Sequence, residues 1–231
     1  MCGRFTQTKT VEEVAQEFEA FSNLNKTKTG PRYNVAPEQD ILTVGVGEKG
    51  RRELSLMSWG LIPHWSKDGH RFINARAETL IEKPSFRESF KKRRCLIPAT
   101  GFYEWSEQGR TKRPYYFHLK NKDLFAFAGI WDEWKTGTGT VRTCAIITTS
   151  PNELLEQVHD RMPVILHPSS YEDWLGNKTP VDQLIEWLLP YPDEYMTSYA
   201  VSKNVNSPSF DDPSLIKPVM ENNAGVLTAT S

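Results

Sequence analysis

The chain predicts a single α+β domain built mainly from antiparallel strands, and three observations carry that expectation. Short β-rich runs bounded by turn residues outnumber the stretches with helical spacing. Strands and helices do not alternate regularly, which argues against a doubly wound parallel sheet or a (β/α)8 barrel. The 231 residues, 38% of them hydrophobic, are enough for one sizeable core.

Taken in order, Thr10-x-x-Glu13 has the form of a capping box. Val11, Val14, Ala15 and Phe18 then recur at helical spacing, predicting a helix over 11–20 that ends before Pro31. Strands are predicted at Ile41–Val46 and Leu54–Trp59. Ser85-x-x-Glu88 reads as a second capping box, with Phe86 and Phe90 on one helix face and basic residues on the other. Further strands are expected at Arg94–Ile97, Phe102–Trp105, Tyr115–Leu119, Leu124–Ile130, Val141–Thr149, Val164–Leu166 and Tyr195–Val201. Helices are expected over 170–175 and 181–189. The polar residues 221–231 read as a frayed tail, leaving 1–220 as the domain.

A net charge of −1 argues against coating nucleic acid by bulk electrostatics but leaves room for a local basic groove. Arg87, Lys91, Lys92, Arg93 and Arg94, and then Arg110, Lys112 and Arg113, read equally well as a solvated helix face and a turn. No run approaches the ~20 apolar residues of a membrane span, and the polar Thr6–Thr10 is unlike a secretory leader, so a cytoplasmic protein is expected. Cys2, Cys95 and Cys144 are widely spaced without a CxxC pair, so neither a disulfide framework nor a structural zinc site is indicated. Cys95 and Cys144 read as small buried hydrophobes.

Cys2 is different because it follows the initiator methionine. Removal of Met1 would leave an α-amine and a thiol on adjacent carbons, a pair that no internal cysteine offers. An aldehyde can condense with the amine to an imine, and the thiol can then close a five-membered thiazolidine. Ordinary pKa values of about 7.7–8.0 for the amine and about 8.5 for the thiol put both nucleophiles within reach of neutral pH.

Four other segments are unusual for residues that only fold a chain. Asn74-Ala75-Arg76-Ala77-Glu78 is a polar stretch directly after Phe72-Ile73. Gly101-Phe102-Tyr103-Glu104-Trp105 puts a carboxylate among aromatics in a strand, where it is costly unless paired or used. Thr148-Thr149-Ser150-Pro151-Asn152 ends an apolar strand in hydroxyls. His159-Asp160-Arg161-Met162-Pro163 joins an imidazole to a cation just before a strand. Each has a structural explanation on its own: Glu104 as an edge-strand residue, His159 as a helix cap, Asn74 as a turn former, Arg76 and Arg161 as ion-pair partners.

Together with Met1-Cys2-Gly3-Arg4-Phe5 they resemble the SOS-response-associated peptidase (SRAP) family. The resemblance extends through Arg32-Tyr33-Asn34-Val35-Ala36-Pro37, Trp59-Gly60-Leu61-Ile62-Pro63, Arg94-Cys95-Leu96-Ile97-Pro98-Ala99 and Phe127-Ala128-Gly129-Ile130-Trp131 to beyond Val205-Asn206. It implies a single SRAP-like domain with a barrel-like core surrounded by helices. It also implies a covalent cross-link to abasic sites in single-stranded DNA, with no cofactor or metal. Cys2 is then the nucleophile, Asn74 its positioning partner, Glu104 the acid/base at amine and sugar, and His159 the group that helps open the sugar. Arg4, Arg76 and Arg161 are implied phosphate ligands, and Thr149 is placed with them in the DNA-binding set. The peptidase in the family name implies removal of whatever precedes Cys2. The location expected is cytoplasmic, nucleoid-associated when DNA is bound, and the protein is expected to be a monomer.

The chemistry is consistent with those roles. An abasic deoxyribose is mostly a closed hemiacetal, so a proton has to reach the ring oxygen before the aldehyde reacts. A carboxylate and an imidazole close together can share that work. Aromatics around Glu104 would raise its pKa, whereas Arg76 or Arg161 nearby would lower it, and the sequence leaves the balance open. Trp59, Trp65 and Trp105 are candidate stacking surfaces for bases, worth ~1–3 kcal/mol per base, with core packing the alternative for Trp59 and Trp65. Core packing is expected for Trp131 and Trp174. Two other classes compete: an amino-terminal-nucleophile peptidase acting on polypeptides, which would turn over peptide without DNA, and a passive single-strand binder, which would tolerate Cys2→Ala.

Overall fold

The computed structural model describes residues 2–24, 30–47, 50–108 and 111–219. Met1, Arg110 and the predicted tail 221–231 lie outside the described residues.

Continuous buried runs build much of the larger of two sheets. Strands β1 (Phe5–Gln7), β2 (Arg32–Val35), β3 (Asp40–Val46), β4 (Arg52–Trp59) and β5 (Asn74–Arg76) lie in the first third of the chain. Then come β6 (Arg94–Ala99), β7 (Gly101–Gln108), β8 (Thr111–Leu119), β9 (Phe125–Thr136) and β10 (Gly139–Thr149). Short β11 (Met162–Pro163), β12 (Ile165–Leu166) and β13 (Met196–Ala200) complete the set. In the larger sheet β10, β4, β3, β6 and β9 pair in that order, and β9 pairs back with β10. The ring is therefore closed and barrel-like, which removes its free edges. Among the described strands only β10 with β4 and β10 with β5 run parallel. The mixed, mainly antiparallel α+β expectation holds.

The smaller sheet has the order β13-β8-β7-β1-β2 and leans on the ring through Phe5. That side chain is fully buried, with its ring edge-on to Trp59 at 5.1 Å and to Phe127 at 5.7 Å. Burying a residue of this size stabilises the fold by about 1.5–3 kcal/mol. Two glycines permit close turns of backbone. Gly60 has φ 134°, a conformation that side chains disfavour, and a Cβ at Gly101 would meet the Tyr116 hydroxyl at 2.2 Å.

Helices are short and peripheral. The Thr10 capping box forms as predicted, and α1 runs Val11–Glu17, ending sooner than expected where Glu19 takes φ 49°. The box predicted at Ser85 does not form. Pro84 occupies the first turn of α2 (Pro84–Lys92), so the boundary moves back to Lys83 and Ser85 lies inside the helix. The helices predicted over 170–175 and 181–189 are α4 (Tyr171–Leu175) and α5 (Val181–Glu186), and α3 is a single turn, Glu153–Glu156.

The basic cluster after α2 divides. Arg87, Lys91 and Lys92 are exposed, but Arg94 is buried and donates to the carbonyls of Phe90, Lys91, Trp174 and Gly176, the ends of two helices. Cys95 and Cys144 are buried free thiols, as expected of small apolar residues. Trp174 is fully buried, and Trp131 is partly buried beneath the Arg142 guanidinium at 5.2 Å. Among the described residues no helix is long and apolar enough to cross a membrane.

Candidate active site

Strand β1 brings the amino terminus to β7. Phe5 pairs with Phe102 and Thr6 with Gly101, and the Tyr103 N–H continues the antiparallel run by donating to Arg4 O at 3.0 Å. The same direction carries Cys2 toward Glu104. Cys2 is fully buried, and burial first and the Glu104 carboxylate second push its thiol far above the usual value.

Strand β5 delivers Asn74 from the other side. Its parallel register with β10, Asn74 opposite Ile146 and Arg76 opposite Thr148, buries Ala75 and leaves the two polar side chains on the other face. Asn74 Nδ2 donates to Cys2 O at 2.9 Å. Its Oδ1 is buried with no partner among the described residues.

Glu104 is 2% exposed although it sits in a strand of only half-polar character, and burial pushes its carboxyl up to about 8. His159 Nε2 lies 3.8 Å from Glu104 Oε2. The imidazole is held by the turn after α3, where Asn152 caps the helix and the His159 N–H donates to Leu155 O at 2.9 Å. Burial lowers the pKa of His159. Burial thus favours the protonated form of the carboxyl and the neutral form of the imidazole. Around Nδ1 stand the Arg161 N–H at 3.0 Å and two acceptors, Arg161 O at 3.3 Å and Asp160 Oδ1 at 3.1 Å.

Glu104 and His159 border a cavity of about 1200 Å³ whose lining also includes Arg4, Trp105, Lys112 and Tyr115, while the fully buried Cys2 and the partly buried Asn74 lie behind that lining. The remaining predicted DNA contacts fall into different surroundings. Arg4 Nη1 donates to Asn34 Oδ1 and to Val205 O, both at 2.7 Å, while its buried Nε has no partner among the described residues. Arg76 is exposed. Arg161 holds Glu78 with both terminal nitrogens, at 2.6 and 3.0 Å, and also donates to Thr148 O. Thr149 is buried in β10 opposite Met162, at the base of the His159–Arg161 turn.

The tryptophans divide by burial. Trp59 offers no face to a base, correcting its place among the DNA contacts. It is 0% exposed, packed on Phe5, and its indole N–H donates to Ile73 O, because β4 turns it into the interior between the two sheets. Trp65 is 54% exposed on a loop pinned by the His64 N–H to Asp132 and the Trp134 indole N–H to Ser66 O, each 3.0 Å. Trp105 lines the cavity and donates to Asn206 Oδ1 at 2.7 Å.

Comparison with known proteins decides the family. The family model described as SOS response associated peptidase (SRAP) matches residues 1–208. The chain belongs to the SRAP family. Among relatives, the "Abasic site processing protein YoqW" of Bacillus subtilis (strain 168) is 47% identical over 94% of this chain and 99% of its own. The "Abasic site processing protein HMCES" of Xenopus tropicalis is 27% identical over 95% of this chain and 79% of its own. A crystal structure of a protein from Bacteroides thetaiotaomicron superposes with a TM-score of 0.88 at 30% identity, covering 95% of this chain and all of that one.

Within this SRAP chain, supporting residues emerge that single-residue reading missed. Asn34 is fully buried and holds Arg4 while donating to the carbonyls of Val205, Ser207 and Phe210. Glu78 is the partner of Arg161, and Asn206 of Trp105. All three lie in segments that resemble the SRAP pattern, and a polar side chain in such a segment was the available signal. Asp160 and Lys112 border the cavity as well.

Proposed function

We propose that this SRAP chain, once Met1 is removed, processes abasic sites in single-stranded DNA by forming a covalent cross-link through Cys2. The α-amine of Cys2 condenses with the C1′ aldehyde, releasing one water. The thiol then adds across the C=N bond, its proton passing to nitrogen, to give a thiazolidine.

One observation carries the reading: Asn74 bonds the Cys2 carbonyl, the Glu104 carboxyl acts on the buried Cys2 thiol, and His159 stands 3.8 Å from Glu104, so four distant segments converge beside a cavity that Glu104 and His159 line. Glu104, whose carboxyl burial raises to about 8, supplies the proton that opens the hemiacetal ring. The resulting carboxylate takes the thiol proton as the second ring closes and passes it to the nitrogen, a relay that suits a thiol held so far above its usual pKa. His159 shares these transfers through Nε2. Asn74 orients Cys2 through its carbonyl. Arg4, Arg76 and Arg161 hold phosphates flanking the lesion, and Trp65 and Trp105 supply stacking faces. The names of the relatives support the substrate class. The peptidase activity in the family description fits removal of whatever precedes Cys2.

Incubating mature protein with an oligonucleotide carrying one abasic site tests this. The expected product has the summed mass of protein and oligonucleotide less one water, and it survives denaturing electrophoresis. The same stable adduct at full yield from Cys2→Ala would remove Cys2 from the mechanism.

A further inference from the structure

Arg4 is held at one end of its guanidinium, and by groups that carry no charge. Nη1 donates to Asn34 Oδ1 and to the Val205 carbonyl, both at 2.7 Å, which engages both of its hydrogens. Nε has no partner among the described residues, and the side chain lines the cavity that Glu104 and His159 border. Arg161 is held differently, since its two terminal nitrogens grip the Glu78 carboxylate. Neutral acceptors orient a guanidinium without cancelling its charge, so Arg4 keeps that charge for a polyanion.

Asn34 suits this task by residue type. It is 0% exposed on β2, and its Nδ2 donates to the carbonyls of Val205 at 3.3 Å, Ser207 at 2.9 Å and Phe210 at 2.6 Å. Arg4 can only donate and the carbonyls can only accept, so the residue between them needs an acceptor at one end and donors at the other. A side-chain amide supplies both, and a carboxylate does not. The same bonds anchor the chain around the turn Lys203–Asn206, whose Asn206 Oδ1 accepts from the Trp105 indole N–H at 2.7 Å. One buried side chain thus ties together an arginine and a tryptophan on the same cavity wall.

We infer that Asn34 is a positioning residue for DNA: it aims Arg4, with its charge uncancelled, at a phosphate beside the lesion. The inference rests on the abasic-site reading above for the identity of that phosphate, and it involves no bond-making step. It also explains the choice of amide over carboxylate, because Asn34→Asp would keep an acceptor at Nη1 while pairing the arginine with a negative charge.

A double-mutant cycle on the mature full chain tests it, with affinity for a single strand carrying an unreactive tetrahydrofuran abasic analogue measured across a salt series. Arg4→Ala is expected to weaken binding about 10-fold and to shallow the slope of log affinity against log salt by about 0.7. Asn34→Ala and Asn34→Asp should each reproduce most of that slope change, and adding either to Arg4→Ala should change the slope no further. A parental slope in Asn34→Ala, or in Arg4→Ala, overturns the inference, and so does a double variant whose slope loss is the sum of the two single losses. Thermal melts show whether the Asn34 variants fold. If they do not, the parent decides by NMR, where the two Nη1 protons of Arg4 are expected as separate, slowly exchanging signals; a single averaged signal overturns the inference. Adduct formation with a reactive abasic oligonucleotide is scored separately. A parent that gives the expected cycle but no adduct leaves Asn34 in its role and instead overturns the abasic-site reading.

Discussion

The side-chain amide of Asn74 donates to the carbonyl oxygen of Cys2 at 2.9 Å, joining β5 to the amino terminus across 72 positions of chain. The bond sets the direction in which the Cys2 backbone leaves the site, and so the direction of its amine. The buried Oδ1 of Asn74 is a ready acceptor for that amine, and an unmatched buried acceptor costs ~1–3 kcal/mol. Asn74→Ala is therefore expected to slow adduct formation about 10- to 100-fold, as general acid–base and orienting contacts of this kind do. The melting temperature should change little. Single-turnover gel assays and thermal melts check the two halves.

Replacing the nucleophile separates the two bonds. Cys2→Ser keeps the amine and is expected to leave an imine that borohydride traps and that hydrolyses when untreated. Cys2→Ala keeps the amine too but lacks any group to close a second ring. Intact-mass measurement with and without reductant distinguishes a persistent thiazolidine from a reducible imine.

Glu104 imposes a pH dependence on stability. Its carboxyl titrates at about 8 in the fold, against 4.5 in an ordinary setting, because burial penalises the charged form. A raised folded value means that the stabilising contribution is complete below 4.5 and is lost as pH rises through 8. Glu104→Gln removes the titration. Its stability advantage over the parent is expected to grow by on the order of 4 kcal/mol between pH 5 and 8, while cross-linking falls by 100-fold or more. Denaturant melts at the two pH values read the first effect. An advantage that stays constant with pH would place the ionisation elsewhere.

The arginines are expected to act through phosphate charge. Arg4→Ala, Arg76→Ala and Arg161→Ala should each weaken single-strand binding and shallow the slope of log affinity against log salt by about 0.7 per lost contact. Arg161 differs because Glu78 already occupies its fork and has its own pKa lowered by that hydrogen bond. A phosphate has to compete with this carboxylate, so Glu78→Gln is expected to tighten binding several-fold and steepen the slope. Affinities measured across a salt series decide it.

Two tryptophans six positions apart are expected to fail in opposite ways. Trp65→Ala should cost ~1–3 kcal/mol of single-strand binding with an unchanged melting temperature. Trp59→Ala should cost ~3–5 kcal/mol of stability, since its removal leaves a cavity beside Phe5. Fluorescence binding assays and thermal melts on both variants check the division.

Much of the fold was legible because the signals are local. Capping at Thr10 needs only residues three apart, and the β-rich composition of β3, β4 and β6 through β10, bounded by turn residues, is a property of each run by itself. The failed box at Ser85 shows the limit: one proline a residue earlier shifts the helix start. Strands β1, β2, β5 and β11 escaped prediction because they span two to four residues and exist only through ladders with distant partners.

The sequence by itself determined the chemistry on offer: a second-position cysteine, a carboxylate among aromatics, an imidazole before a cation, and the order of segments that resembles a family. Tertiary structure alone decided where those groups meet. The β1–β7 register brings Cys2 to Glu104, the β5–β10 register brings Asn74 to Cys2, and the turn after α3 brings His159 to Glu104. It also decided that burial raises the Glu104 carboxyl to about 8 and that Trp59 is core while Trp65 is surface. Burial and distance set desolvation and Coulomb energy, and neither is a property of a residue until the chain is folded around it.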